Sequence, residues 1–190
     1  MKRLFLLALV LFLPFATGCA QPTSDASSEQ TPTVNASTEV DPADFEWASF
    51  DEATAAAKES GKYVLVDIYA PWCGWCRKMQ EEVYTNDEIR TYVMQHFEYG
   101  RLDIDDSETR HDFKGYDLTS QELGYGLGAE GTPTTVFLDS NGDYITRLPG
   151  YADLSTFRQV LHYIGTKAFQ EQTFEEYAQA AENQELGTGK

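Results

Sequence analysis

A chain of 190 residues, 42% hydrophobic and 13% aromatic, carries enough apolar material for one cored domain with short extensions and is too short for a second full domain. Its formal charge of -17 opposes binding to nucleic acid and to anionic lipid headgroups, and the excess acid reads as a solvated surface.

The chain opens with Lys2 and Arg3 ahead of an apolar run over 4–15, too short and wrongly flanked for a spanning helix, so 1–18 is expected to be a signal peptide. The end of that run, "ATGCA", resembles the lipobox of bacterial lipoproteins: Ala16, Thr17 and Gly18 are the small residues ahead of Cys19. On that resemblance Cys19 becomes the lipid-bearing first residue of the mature chain, and the lipid is its only membrane attachment. The alternative is an ordinary secretory signal that leaves Cys19 as an odd thiol. Ala20 stands where a retention signal would place Asp, which favours the outer membrane, periplasmic side, in a cell with two membranes. Residues 19–43 are Ser, Thr, Pro, Ala and acid with little to bury, so a disordered tether is expected, with a typical reach of roughly 25–30 Å.

From Phe45 and Trp47 onward the pattern becomes that of a folded domain. "FDEATAAAKESGK" predicts a helix with acids in its first turn and Gly61 as its stop. "YVLVDIYA", 63–70, is a nearly unbroken apolar run of strand formers, as expected of a parallel strand buried on both faces. A helix is predicted from about Cys73, with Met79 and Val83 on its inner face. Another runs over "DEIRTYVMQHF", capped by Thr85 or Asn86, with Ile89, Val93 and Phe97 along one side. Further strands are predicted over 99–105 and 134–139, the second turning through "SNGD" into "YITRLPGY" as a hairpin. Between them, 106–130 is predicted to hold a short helix near 121–127, with Thr119 and Glu122 in capping-box spacing. The last core helix opens at Asp153 and buries Leu154, Phe157, Leu161, Ile164 and Ala168. Thr173 and Glu176 then form a capping-box pattern for a terminal helix to about Asn183. This order specifies an α/β domain over 44–168, a mixed central sheet flanked by helices, and a helical extension over 169–190.

With Cys19 assigned to lipid, Cys73 and Cys76 are the remaining cysteines, and export would allow a disulfide to persist. Residues three apart at the start of a helix face one another at a separation that a disulfide spans. Cys73, at the helix N-terminus, meets free N–H groups and the positive end of the dipole, which favour thiolate over thiol and make it the expected nucleophile. Arg77 and Lys78 add positive charge nearby, and Cys76 is expected to lie deeper and stay protonated. A c-type haem site needs His after the second cysteine, where Arg77 stands. A structural zinc site needs two further ligands, and His96, His111 and His162 are scattered and read as ordinary surface or helix residues. No metal and no other cofactor is expected. Trp72 and Trp75 flank Cys73 and are expected to offer an exposed apolar landing site for substrate.

The stretch "WASFDEATAAAKESGKYVLVDIYAPWCGWCRKM", together with "GTPTTVFLDSNGD", resembles the thioredoxin superfamily, and within it thioredoxin-like envelope proteins and the thioredoxin domains of membrane-anchored disulfide reductases. The likeness spans about 45–168 and implies the thioredoxin-like fold. It places Asp67 where the family has a buried acid behind the disulfide. An acid within "VLVDIYA" cannot stay charged cheaply in an apolar interior, so its pKa should rise and suit it to take the proton of Cys76, unless the side chain escapes to solvent at a sheet edge. Arg101 matches a family lysine near that acid, but cannot give up its proton as lysine can. Pro133 matches the family's cis-proline opposite the disulfide, a trans proline at a strand start being the alternative. The Thr132 backbone beside it would be free to pair with an extended substrate. The connection over 106–130 is longer than is usual in the family and leads into Pro133, so it either lines a substrate groove or is a plain surface insertion.

The resemblance implies a thiol:disulfide oxidoreductase, in the reductase direction, exchanging disulfides with envelope protein thiols, with a membrane-embedded relay protein among the candidate electron partners. A disulfide isomerase or oxidase, and a non-catalytic peptide-binding module, are the alternatives. Trp75 stands in the dipeptide that tunes the potential.

Overall fold

The computed structural model describes the backbone of residues 44–188 and side chains through residue 181. The expected signal peptide, lipid-bearing Cys19 and tether lie outside those residues. Strand β1 (Ala48–Ser49) leads directly into α1 (Phe50–Ser60). Ser49 Oγ accepts the Glu52 N–H, and the Glu52 carboxylate accepts the Ser49 N–H in return, a reciprocal cap that the local sequence specifies. Gly61, at φ 75°, ends the helix.

Next come β2 (Tyr63–Tyr69), α2 (Gly74–Met79) and a π-helical turn over Gln80–Tyr84. They are followed by α3 (Asp87–His96), capped by Asn86, and β3 (Phe97–Asp103). A small hairpin, β4 (Arg110–Phe113) and β5 (Tyr116–Thr119), precedes α4 (Ser120–Gly126). Strands β6 (Thr134–Leu138) and β7 (Tyr144–Pro149), then α5 (Leu154–Gly165), a 3-10 turn over Ala168–Gln170 and α6 (Phe174–Thr188), complete the described chain. Among the described residues no helix is long and apolar enough to cross a membrane.

The central sheet runs β1-β3-β2-β6-β7, with β3 parallel to β2 and to β1, and β6 antiparallel to β2 and to β7. Side chains alternate along a strand, so β2 feeds two cores. Val64, Val66 and Ile68 join the cluster with Phe50, Ala53 and Ala57 of α1 and Leu123 of α4. Leu65 joins the other, with Met79, Val83, Ile89, Val93 and Phe157. Asp67 shares the parity of Leu65 and therefore points at the side of the sheet covered by α2, α3 and α5. Register completes its surroundings: Asp67 lies beside Arg101 on β3 and Thr135 on β6.

Several boundaries differ from those expected. Phe97 is buried as the third residue of the Ile89–Val93–Phe97 series, but from a strand: its backbone is extended and pairs with Tyr63, so helix and strand join without a linker. Val83 is buried from the π-helical turn, and Ala168 packs from the 3-10 turn beyond α5. Leu154 is only partly buried. The β4–β5 hairpin was not foreseen. Its two-residue loop, Lys114 and Gly115, has φ of 57° and 80°, the left-handed pair that a tight hairpin requires.

Candidate active site

Strand β2 ends at Tyr69, and after three intervening residues Cys73 caps α2 with an extended backbone. The Cys76 N–H, one turn on, donates to Cys73 Sγ across 3.0 Å, and the two cysteines are joined as a disulfide with Cα atoms 5.3 Å apart. The facing geometry expected from the spacing is present. The expected order of depth is not: Cys73 is 2% exposed and Cys76 5%. Cys73 is covered because its sulfur turns back over the first helical turn to meet the Cys76 N–H. Arg77 donates to the Pro71 carbonyl at 3.3 Å, and the Lys78 ammonium lies over the rings of Trp75 and Tyr151.

Asp67 is 1% exposed, on a central strand rather than an edge. Arg101 donates to its Oδ2 through Nε at 2.9 Å and Nη2 at 2.8 Å, and Tyr84 donates to Oδ1 at 3.3 Å. The Arg101 guanidinium also lies over the faces of Tyr69 and Trp47, at 4.5 and 5.0 Å from the ring centroids. Burial raises the Asp67 carboxyl above its ordinary range, and the Arg101 charge with the two hydrogen-bond donors pulls it only part of the way back. The Tyr84 phenol, buried beside that carboxyl, is held protonated well above its usual range, so it stays a donor. Thr135 Oγ1, 3.1 Å from the phenol oxygen, is then left to donate to it. Arg101, which binds the Asp67 carboxylate, lines a cleft of about 190 Å³ together with Tyr69, Cys76 and Gln80.

The Thr132–Pro133 peptide is cis, and β6 begins only at Thr134. Thr132 and Pro133 share a cleft with Trp75, Gly150 and Tyr151, which brings them beside the first turn of α2. Trp72 is 69% and Trp75 59% exposed, as expected of a landing surface, and the Trp72 indole N–H donates to Asp105.

A family model described as a thioredoxin-like domain matches residues 50–165. The chain belongs to this thioredoxin-like family. The Disulfide bond reductase DsbH of Chlamydia pneumoniae is 27% identical over 107 residues, 56% of this chain and 63% of that protein. The Thiol:disulfide interchange protein DsbD 2 of Pseudomonas aeruginosa is 29% identical over 122 residues, 63% of this chain and 19% of that protein. The chain therefore spans less than two thirds of the DsbH relative's length and under a fifth of the DsbD relative's. Among solved structures, a thioredoxin-fold protein from Helicobacter pylori superposes with a TM-score of 0.58 at 24% identity, covering 70% of this chain and 98% of that one.

Three features of this thioredoxin-like domain escaped the sequence. Tyr84 lies at the end of the π-helical turn after the cysteines, and its hydroxyl reaches Asp67 across 17 positions of sequence. Tyr151, just past β7, gave no signal beyond being aromatic next to Gly150. His111 is the clearest misreading: it is 4% exposed, with Nδ1 3.0 Å from Asp51 Oδ2 and Nε2 2.8 Å from Ser120 Oγ. It pins the β4–β5 hairpin to α1 and α4, because a buried imidazole needs partners on both nitrogens. His96 and His162 are helix residues as expected, and both stack on Tyr92, at 4.2 and 4.1 Å between ring centroids. Of the 106–130 segment, Gly128 and Glu130 reach the cleft beside Pro133, while the hairpin packs against Phe50 through His111 and Phe113.

Proposed function

We propose that the protein is a thiol:disulfide oxidoreductase working as a reductase of envelope proteins, with Cys73 as nucleophile, Cys76 as resolving thiol and Asp67 as proton acceptor. The observation that carries this reading is the Cys73–Cys76 disulfide closed across one helical turn, with a backbone N–H already directed at Cys73 Sγ. A sulfur so placed is stabilised as thiolate when the bond is opened.

In the reduced protein the Cys73 thiolate attacks one sulfur of a substrate disulfide. That S–S bond breaks, a mixed disulfide forms, and the other substrate sulfur leaves as thiolate and takes a proton from water. Cys76 then loses its proton toward the Asp67 carboxylate and attacks Cys73 Sγ. The Cys73–Cys76 bond forms, the mixed disulfide breaks, and the second substrate sulfur leaves as thiolate and takes a proton from water. Asp67 returns its proton to water, and two electrons have passed to the substrate. The cleft shared by Cys76 and Arg101 supports transfer through water, and a carboxyl raised by burial is matched to a thiol donor. Trp72, Trp75, Thr132 and Pro133 would receive the substrate chain, with the Thr132 backbone pairing to it as a short added strand. No cofactor enters these steps. Electrons would return to the Cys73–Cys76 bond from another thiol protein, a membrane-embedded relay being our choice. The name of the DsbH relative, a disulfide bond reductase, supports this direction, and that of the DsbD relative, a thiol:disulfide interchange protein, supports the exchange itself.

The same reading assigns 1–18 to a signal peptide, 19–43 to a tether lipid-anchored through Cys19 on the periplasmic side, 44–168 to the catalytic domain and 169–190 to a helical extension. An unmodified Cys19 in the mass spectrum of the mature protein would remove the anchor. For the chemistry, the Cys73–Cys76 couple is expected nearer the potential of a reductant, about -270 mV, than that of a strong oxidant, about -120 mV. In cells, Cys76→Ala is expected to accumulate mixed disulfides on Cys73, and Cys73→Ser to accumulate none. A potential at the oxidising end, or no trapped partner, overturns the assignment.

A further inference from the structure

We propose that Trp75 and Tyr151, with Thr132, Pro133 and Gly150, form a side-chain subsite that selects substrates bearing an aromatic residue next to the reactive cysteine. This rests on the oxidoreductase reading and adds a substrate class to it. Trp75 stands in the first turn of α2 between the two cysteines, and Tyr151 stands just beyond β7 after Gly150, whose φ of 79° turns the chain. Their ring centroids are 5.5 Å apart with planes tilted by 44°, so the rings form two walls of an open angle rather than a closed stack. The cleft they share with Thr132, Pro133 and Gly150 measures about 350 Å³, room for one large side chain. A second cleft, of about 230 Å³, also touches Thr132, Pro133 and Gly150 and runs on past Gly128 and Arg147. A chain crossing Pro133 therefore meets the aromatic cup at one end of a continuous groove.

The cup is held in shape before any substrate arrives. The Tyr151 hydroxyl donates to Glu82 Oε2 at 2.6 Å, and the Lys78 ammonium lies 4.8 Å from the Tyr151 centroid and 5.1 Å from that of Trp75. Lys78 and Glu82 are themselves 3.9 Å apart. Rings fixed in this way lose little freedom when a guest settles between them, which converts contact into selectivity. Lys78 lies outside the cleft lining and is paired with Glu82, so selection falls to the rings: an aromatic guest covers both, whereas a Lys or Arg side chain would give up its hydration with no partner in the cleft. A small polar side chain would leave most of the exposed Trp75 indole in water.

The test uses the full mature chain and disulfide-linked peptides that differ only in the residue beside the cysteine: Phe, Ser or Lys. The reduced protein is expected to favour Phe over Ser by about tenfold in kcat/KM, with Lys the poorest. Tyr151→Ala should bring the Phe-to-Ser ratio below about two, and Tyr151→Phe, which keeps the ring, should largely preserve it. A ratio that Tyr151→Ala leaves unchanged overturns the subsite. A second readout does not need turnover. The same peptides with Ser in place of cysteine are titrated onto the oxidised protein, and the shift of the Trp75 indole N–H is followed. Tighter binding of the Phe peptide, lost in Tyr151→Ala, upholds the subsite even when no peptide is reduced, a result that would refute the oxidoreductase reading alone. Equal binding of the Phe and Ser peptides refutes the subsite.

Discussion

Arg101 grips a single oxygen of Asp67 twice, through Nε at 2.9 Å and Nη2 at 2.8 Å from Oδ2, and leaves Oδ1 to the hydroxyl of Tyr84. The pairing follows from register, since the two residues are direct neighbours on parallel strands. The partners differ in exposure: the Asp67 side chain is 2% exposed and that of Arg101 26%. The buried member thus bears the desolvation, and its carboxyl is raised despite the ion pair.

This displacement has a signed consequence for stability. An acid whose folded pKa lies above its ordinary value of 3.8 contributes its stability below that value and loses it as pH rises toward the folded pKa. Across that window wild-type stability should fall, relative to Asp67→Asn, by about 1.4 kcal/mol per pH unit. Carboxylates at the helix caps, Glu52, Asp153 and Glu176 among them, are shifted downward and act in the opposite sense, but they act equally in both proteins and cancel. Urea unfolding of the oxidised proteins from about pH 4 upward measures the difference. A difference that stays flat with pH would show that Asp67 titrates as though exposed.

His111 should behave as a core residue. His111→Ala removes hydrogen bonds to Asp51 and Ser120 and leaves the buried Ser120 hydroxyl without its imidazole partner. The expected cost is about 2–4 kcal/mol. Amide exchange should quicken first in β4, β5 and the opening turn of α4, while β2 and β3 stay protected. A cost under about 0.5 kcal/mol would restore the reading of His111 as a surface residue.

What the sequence discloses here depends on how far each signal reaches along the chain. The caps at Asn86, Thr119, Asp153 and Thr173 are contacts within three residues, so each helix start could be read directly. Cys73 and Cys76 are equally local, and their spacing conveys their pairing. The β4–β5 hairpin was missed because Lys114 fills a left-handed position where Asn, Asp or Gly would have announced the turn. His111 reaches Asp51 across 60 positions and Tyr151 reaches Glu82 across 69, and nothing in the neighbourhood of either residue encodes such a contact. The family likeness placed Asp67, Arg101 and Pro133. It did not reveal Tyr84, whose hydroxyl meets Asp67 across 17 positions.

Gly100 is a point of close approach rather than of chain freedom. A Cβ there would sit 2.7 Å from the Ser49 carbonyl oxygen and 2.9 Å from Ala53 Cβ, and Ser49 is the cap of α1. Gly100→Ala should therefore push α1 from the sheet and cost about 1–3 kcal/mol. Gly126→Ala, in the last turn of α4 with nothing within 4 Å of the new methyl, should be neutral or stabilise by about 0.5–1 kcal/mol. Thermal unfolding of the pair checks this, and equal effects would refute the packing argument.

Tyr84→Phe separates the structural from the electrostatic part of the buried cluster. The phenol takes a hydrogen bond from Thr135 and gives one to Asp67, and the ring packs edge-on against Trp47 and Phe157. Phenylalanine keeps the packing and removes both bonds, at an expected cost of about 1–2 kcal/mol. The lost Thr135 bond joins two neutral groups and costs the same at every pH. The lost Asp67 bond favours the ionised carboxyl, so without it that carboxyl should rise further above 3.8 and the window of falling stability should extend to higher pH. The cost of the substitution should thus be smallest near pH 4 and grow as Asp67 ionises in the wild-type fold, and in Tyr84→Phe/Asp67→Asn it should become flat. If the single substitution costs the same at both ends of the range, the Tyr84 hydroxyl serves Thr135 alone, and Arg101 is left as the group that moderates the buried acid.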